Sequence, residues 1–407
     1  MKKGTMIFMI LAGGILGACG GKQDQIQETG QSGETGTSEI VIEISGDRQE
    51  TERTRASESD SGAGRETAET EVSDQEETDA GDGRIAGQTF EVELSEYEGK
   101  VLFVPYAPSE ENPDFHMEII QDEKILTTIP GYVPEKLAGE DFVSLDAVSF
   151  YDMNYDGFTD LVLIETYGNT SFAAVYYGFD KEAEEDYDQY FSPRWDLSEA
   201  ITREALVLSV PGIRDLMSGG KKNGQFADYK EAYEAVARLC RLDGGDEITY
   251  SLVYFDEDQI PELAADQKGY YISLYTYKDG TVSVLMDKWS YGAMGNAGYE
   301  YAPGKNSLRN YNTDYAGAIL HTTYMSKTEK NTLETRARID IYNFDDVNGN
   351  GIPDENETGS MGLYSKIYVN GEEAADEEWK TYDMGEYEIL TGDMSFEELK
   401  IKLSGEN

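Results

Sequence analysis

The segment 152–160 reads D-M-N-Y-D-G-F-T-D. Oxygen-bearing side chains at its first, third and fifth positions can converge on one point when the chain coils tightly, and the glycine permits the sharp turn that follows. Ca²⁺ takes six to eight hard oxygens at about 2.3–2.6 Å. We therefore predict that this segment, the first loop, binds calcium. Its predicted ligands are the side chains of Asp152, Asn154, Asp156 and Asp160 and the carbonyl of Phe158.

A second copy of the pattern occupies residues 346–357, the third loop. The acid Glu357 stands at the twelfth position of this loop, where Leu163 stands in the first loop. A carboxylate at that position can bind calcium through both oxygens, so the third loop is the more complete copy. Its predicted ligands are the side chains of Asp346, Asn348, Asn350, Asp354 and Glu357 and the carbonyl of Ile352.

A degenerate copy lies at residues 256–262, the middle loop. Tyr254 stands where the first ligand is expected, and Gln259 replaces the glycine. The sequence suggests a remnant of a repeated unit and leaves its metal binding open. For all three loops the alternative is a solvated polar turn, because Asp, Asn and Gly favour turns without any metal.

Apolar, strand-like runs flank the first loop on both sides. This arrangement resembles the calcium loops of FG-GAP and VCBS-type repeats, where the loop joins two strands of a propeller blade or a related sheet. It is unlike the helix–loop–helix of an EF-hand. The resemblance covers only residues 150–164 and implies metal binding, not an activity. Sites of this kind bind calcium weakly, at about 10⁻⁴–10⁻³ M, so the predicted ion is structural.

A third feature is a glycine-rich stretch with aromatic residues at both ends, residues 289–301. Its aromatic rings could stack on a sugar face or hold a peptide. The alternative, which we favour, is a long loop whose rings pack onto their own domain. The candidate ligand residues are Trp289, Tyr291, Asn296, Tyr299 and Tyr301.

The elements that position these loops are mostly strands. Phe90, Val92 and Leu94 alternate with polar residues, and short apolar runs punctuated by Gly and Pro follow. Residues 86–218 are therefore predicted to form a β-rich domain. Residues 225–407 are predicted to form an α+β domain that begins with an amphipathic helix at 226–240 and ends with a short helix capped by Ser395. The fold class predicted for the whole chain is β-rich, α+β.

The N-terminal residues have the pattern of a secretion signal. Lys2 and Lys3 precede an apolar run at 6–16, which has the length of a signal-peptide core and is too short to span a bilayer. The run ends in L-G-A-C, which resembles the lipobox of bacterial lipoproteins. That resemblance implies a signal peptide at 1–18 and lipid on the sulfur of Cys19. The alternative is an ordinary secretory signal with a chance cysteine.

Residues 19–85 are rich in Gly, Ser, Thr, Glu and Asp and are predicted to be a disordered acidic tether. The net charge of the chain is −48. Such a surface repels phosphate backbones, so we expect no nucleic-acid partner, and it attracts cations. The two histidines, His116 and His321, are far apart, which excludes a His-rich zinc site. Cys240 lies in the helical pattern and is interpreted as a buried apolar residue.

No nucleophile–base set is visible, so the sequence favours a non-enzymatic lipoprotein on the extracytoplasmic face of the membrane, one that binds a glycan or protein. The alternative is a cell-surface enzyme that cleaves polysaccharide with paired carboxylates. A substrate-capturing lipoprotein for a transporter is disfavoured because no alternating βαβ pattern occurs. The overall layout resembles that of surface lipoproteins, which names no ligand.

Overall fold

The computed structural model describes residues 40–43, 83–179, 190–293, 295–357, 359–375 and 377–405. The predicted signal peptide, Cys19 and most of the tether lie outside the described residues. Within the tether, the described segment Ile40–Glu43 forms strand β1. The sequence predicted an unstructured spacer here, and the structure differs for these four residues. Three consecutive β-branched residues favour a strand where an open sheet edge offers a backbone partner.

Two antiparallel sheets precede the helices. Sheet A contains β2 (Phe90–Glu93), β3 (Lys100–Tyr106), β4 (His116–Gln121) and β5 (Lys124–Pro130). Sheet B contains β1, β6 (Phe142–Tyr151), β7 (Asp160–Tyr167), β8 (Thr170–Gly178) and β9 (Phe191–Pro193), in that spatial order.

Three helices follow: α1 (Trp195–Glu204), α2 (Val210–Ser218) and α3 (Tyr229–Gly244). The carboxylate of Asp228 caps α3 by accepting from the amides of Lys230 and Glu231. The sequence predicted α3 but not α1 or α2, which lie inside the segment read as β-rich. The capping residues of α2 are of types that the sequence could have indicated. Ser209 at the start accepts from the amide of Gly212, and Gly219 ends the helix in the left-handed conformation.

Two further antiparallel sheets and a closing helix complete the described chain. Sheet C contains β10 (Thr249–Val253), β11 (Glu262–Gln267), β12 (Tyr271–Lys278) and β13 (Thr281–Ser290). Sheet D contains β14 (Tyr299–Ala302), β15 (Ser307–Asp314), β16 (Ile319–Lys327), β17 (Leu333–Phe344), β18 (Gly359–Val369), β19 (Glu372–Glu373) and β20 (Glu388–Ile389). The last helix, α4 (Phe396–Ser404), begins with the predicted cap at Ser395.

Sheets B and C are both covered on two faces. One face of sheet B packs on sheet A through residues such as Phe103 and Phe150. Its other face shares a core with the four helices and sheet C, to which Val162, Val236 and Tyr275 belong. The outer face of sheet C packs on sheet D in a third core. The β-rich, α+β class is confirmed, while the division of the chain near residues 218–225 stays a prediction because one core contains residues from both sides of it.

Candidate metal-binding loops

The first loop is the turn of a β-hairpin. It leaves β6 at Tyr151 and enters β7 at Asp160, and these two residues face each other across the ladder. Tyr155 and Gly157 adopt left-handed conformations, with φ of 68° and 91°. The loop is also tied to sheet C, because the amide of Val284 donates to the carbonyl of Tyr155 at 3.1 Å. Strands on both sides therefore fix where the loop begins and ends.

Carboxylates hold the backbone of the first loop in its coil. Asp152 accepts from the amides of Asp156 and Gly157, both at 3.1 Å. Asp160 is fully buried, and its two oxygens accept from the amides of Met153 at 2.6 Å and Gly178 at 3.0 Å. The side chains point into the coil, not outward into water.

The first loop concentrates negative charge. Burial, together with the charge of Asp156, raises the pKa of Asp152 to about 7. Burial raises the pKa of Asp156 to about 6. Burial also raises the pKa of Asp160 well above its usual range, and repulsion from Asp156 and Asp152 raises it further. Glu96, from the turn between β2 and β3, accepts from the amide of Thr159 at 2.7 Å, and burial raises its pKa to about 7. Its other oxygen, Oε2, is buried without a hydrogen-bond partner in the described structure.

The third loop joins β17 to β18 and repeats the internal bonds of the first loop. The amides of Gly351, Asn350 and Ile352 donate to Asp346, Asn348 and Asn350 respectively, at 2.8–3.0 Å. These bonds correspond one for one to those from Gly157, Asp156 and Phe158 in the first loop.

The closing acid of the third loop is Glu357. It accepts from the amides of Val347 at 2.9 Å and Asp354 at 3.1 Å. Oxygen Oδ1 of Asp346 is buried and has no hydrogen-bond partner among the described residues. A buried carboxylate oxygen without a donor is costly, and a bound cation would satisfy it.

The oxygen ligands of both loops suit a hard cation, but their side chains do not converge on a common centre. No group of three or more His, Cys, Asp or Glu side chains in the described residues is arranged to hold a metal ion. In the first loop the side-chain Nδ2 of Asn154 donates to Asp156 at 2.8 Å, and in the third loop the side-chain Nδ2 of Asn348 donates to Asp354 at 2.9 Å. The Oδ1 atoms of both asparagines accept from backbone amides within their own loops.

The middle loop has the same hairpin framework. Val253 faces Glu262 across the ladder, as Tyr151 faces Asp160 in the first loop. Glu262 accepts from the amide of Phe255 at 3.1 Å, which matches the bond from Met153 to Asp160.

The inner turn of the middle loop also matches. Asp258 accepts from the amide of Ile260 at 2.8 Å, and Asp256 accepts from the amide of Asp258 at 3.0 Å. Gln259 adopts the left-handed conformation, with φ of 67°, at the position of Gly157. The degenerate sequence therefore retains the loop geometry.

A lysine that the sequence did not indicate lies within the middle loop. Nζ of Lys327, at the end of β16, lies 2.6 Å from Asp256 Oδ2, 3.0 Å from Glu262 Oε1 and 3.1 Å from Thr276 Oγ1. Burial alone would lower the pKa of Lys327, but its bonds to the two acids raise it. Because Lys327 lies 65 residues beyond Glu262 in the chain, local sequence patterns could not find this contact.

The aromatic stretch 289–301 packs onto its own domain. Tyr299 and Tyr301 are buried in the core between sheets C and D, and Trp289 packs against that core. The hydroxyl of Tyr291 donates to Asp266 at 2.6 Å, and the side-chain Nδ2 of Asn296 donates to the carbonyl of Ser290 at 2.9 Å. Contacts within the protein thus engage all five residues of the candidate ligand set.

A polar groove of about 560 Å³ runs beside α1 and α3. Its most buried acid, Asp243, is bound by Arg194 at 2.8 Å and by Lys288. Burial alone would raise the pKa of Asp243, but the two cations lower it. Cys240, which the sequence predicted to be buried, is only partly buried and packs against the core shared by sheets B and C, and burial raises the pKa of its thiol to about 12.

No protein-family model matches the chain, and no curated protein shows significant similarity to it. The described residues contain no helix with the length and apolar character that crossing a bilayer requires.

Proposed function

We propose that the chain is a surface lipoprotein held on the extracytoplasmic face of the membrane through Cys19. In this proposal, the folded part is a non-enzymatic binding or adhesion module whose first and third loops are stabilised by calcium. Support for the anchor comes from the lipobox-like residues 16–19 and the acidic spacer that follows them. The partner class is an extracellular glycan or protein.

The calcium role rests mainly on the uncompensated charge of the first loop. Asp152, Asp156 and Asp160 are drawn into one small loop, and the charges acting on Asp152 and Asp160 are those of their fellow carboxylates. Ionised carboxylates taken out of water need either a proton or a cation. A divalent ion bound by these side chains and the Phe158 carbonyl would supply that cation.

The third loop supports the same role independently. Its donors are two carboxylates, two asparagines, one carbonyl and Glu357, all oxygen groups that suit calcium. The unpartnered Oδ1 of Asp346 lies at the position of the first ligand. Calcium there would act structurally by pinning an exposed loop between β17 and β18.

The most buried acid of the polar groove is a poor candidate for the general acid of a polysaccharide-cleaving enzyme. A polysaccharide-cleaving pair needs one carboxyl that keeps a proton near neutral pH. Asp243, the most buried acid of the groove, has a lowered pKa because Arg194 and Lys288 hold it ionised. It is therefore poorly suited to serve as the general acid.

Calorimetric titration with Ca²⁺ of the mature chain, carrying Cys19→Ser to keep it soluble, tests the calcium role. We expect two weak sites, with one lost in Asp156→Ala and the other in Asn350→Ala. Asp258→Ala is the matched control, because Asp258 occupies the position of Asp156 in the middle loop and should leave the titration unchanged. Absence of binding heat, with no calcium-dependent shift in melting temperature, would refute the calcium role.

Lipid incorporation tests the anchor. The full chain produced in a bacterial host should incorporate labelled fatty acid and fractionate with membranes, and Cys19→Ser should lose both properties. A wild-type chain that is secreted without lipid would contradict the anchor. A glycan array probed with the soluble chain then tests the partner class, and release of shortened sugars from bound glycans would favour the enzymatic alternative.

A further inference from the structure

The middle loop already contains a positive charge. The ammonium of Lys327 contacts oxygens from Asp256, Glu262 and Thr276, all within 3.1 Å. Its side chain is only 9% exposed, and that of Glu262 is 1% exposed. The cation is therefore part of the buried structure, not a surface ion pair.

The acids that Lys327 contacts occupy metal-ligand positions. By the shared hairpin register, Asp256 corresponds to Asn154 and Glu262 corresponds to Asp160 of the first loop. These are two of the predicted calcium ligands of that loop. Lys327 thus bridges the inner turn and the closing acid, as the ion would in a filled loop.

The backbone of Lys327 is held in register with the loop. Asn306 accepts from the amide of Lys327 at 2.7 Å and donates to its carbonyl at 2.8 Å. The amide of Asn306 in turn donates to the carbonyl of Phe255, inside the loop, at 2.8 Å. The turn between β14 and β15 therefore fixes the lysine relative to the acids that it neutralises.

We propose that the Lys327 ammonium replaces the divalent cation in the middle loop, so that this loop needs no calcium and removal of the lysine uncovers a cation site. A single ammonium provides one charge and up to three hydrogen bonds, which matches the three oxygens in contact. The inference deepens the proposed calcium role and relies on it for the identity of the displaced ion.

Calcium titration of Lys327→Ala, measured beside wild type, tests the inference. The variant should bind one ion more than wild type, and Lys327→Ala combined with Glu262→Gln should lose that extra ion. Lys330→Ala, three residues further on and exposed, is the matched control and should bind as wild type does. A folded Lys327→Ala chain with the wild-type number of ions would overturn the inference.

Two further outcomes are informative. If Lys327→Ala is unfolded without calcium, the inference predicts that millimolar calcium restores its native circular dichroism, and failure of that rescue contradicts it. If wild type binds no calcium while Lys327→Ala binds one ion, the proposed role of the first and third loops fails but the inference stands.

Discussion

The first and middle loops share the same hairpin geometry and differ in the charged side chain that a neighbouring sheet places against them. Both loops join hairpin strands in the same register. Each ends in an acid, Asp160 or Glu262, that accepts a hydrogen bond from the backbone amide of the residue after the first-ligand position, Met153 or Phe255. Sheet A offers Glu96 to the first loop, whereas sheet D offers Lys327 to the middle loop. One loop therefore gains a further negative charge and the other gains a positive one.

Under the proposed calcium role, the first loop would be neutralised by an ion from solution and the middle loop by a lysine of the chain itself. An ion from solution makes stability depend on its concentration, because only the folded state binds it. A lysine neutralises the loop carboxylates at any calcium concentration, and the opposing term is the conformational entropy lost by one side chain. Under the proposed calcium role, we therefore expect the first and middle loops to respond differently to calcium removal.

The largest expected effect is the loss of the internal cation. Lys327→Met keeps most of the length of the side chain, so we expect it to keep the cation site filled while leaving Asp256 and Glu262 without their partner. Breaking one side of a buried ion pair costs about 3–5 kcal/mol. Urea denaturation should show this loss both with and without calcium, while Lys330→Met should change stability by less than about 0.5 kcal/mol. A loss for Lys327→Met that calcium fully reverses would mean that the methionine leaves the cation site open.

The sequence predicted many local features, although not α1 or α2, and it predicted long-range features poorly. Alternating apolar residues, the cap at Ser395 and the D-x-N-x-D-G pattern all act over a few residues, so the strands, α4 and the loops could be anticipated. Lys327 and Glu96 reach the loops from other sheets, 65 and 63 residues away from their partners Glu262 and Thr159. Their contacts depend on how the sheets pack, which no local pattern encodes. The sequence likewise did not predict that the aromatic residues of 289–301 pack in the core between sheets C and D.

The second effect is a pH dependence of stability that should be larger in the calcium-free state. The folded-state pKa values of Asp152 and Glu96 are about 7 and that of Asp156 is about 6, all raised from their usual range mainly by burial. Groups whose pKa is raised on folding stabilise the protein at low pH and lose that contribution as pH rises through the folded value. Without calcium, the chain should thus be less stable at pH 8 than at pH 5, and each group with a pKa of about 7 should contribute up to about 2.7 kcal/mol to that difference.

Calcium should reduce this loss, because it replaces the protons on the loop carboxyls. Glu165 gives a control outside the loops: it is fully buried in sheet B, and burial raises its pKa to about 8. Glu165→Gln should remove a pH-dependent contribution that calcium does not affect. Thermal melts across pH 5–8 measure both effects, and a calcium-free chain that becomes more stable toward pH 8 would contradict the assignment.

A smaller effect separates the first loop from the third. Asp152→Asn and Asp346→Asn each remove one charge at the first-ligand position and keep the shape of the side chain. With calcium at about ten times its Kd, one site contributes about 1.4 kcal/mol to stability. Each variant should lose up to that amount of calcium-dependent stabilisation, read as the difference between melts with calcium and with a chelator. Tyr254→Phe, at the same position of the middle loop, should leave that difference unchanged, and a change would place calcium in the middle loop.

The smallest effect concerns the backbone at one shared position. Gly157 and Gln259 both lie in the left-handed region, where a residue with a Cβ is strained by about 1–2 kcal/mol. A Cβ added to Gly157 would meet no atom within 4 Å, so conformation alone decides the cost of a substitution there. Gly157→Gln should lower stability by about 1 kcal/mol, whereas Gln259→Gly should raise it by up to about 0.5 kcal/mol, since glycine also loses more entropy on folding. Denaturant melts with calcium and with a chelator measure both changes, and we expect the cost of Gly157→Gln to be larger in calcium, where the loop must coil tightly around the ion. An equal cost in both conditions would show that the coil of the first loop is set by its hydrogen bonds and not by calcium.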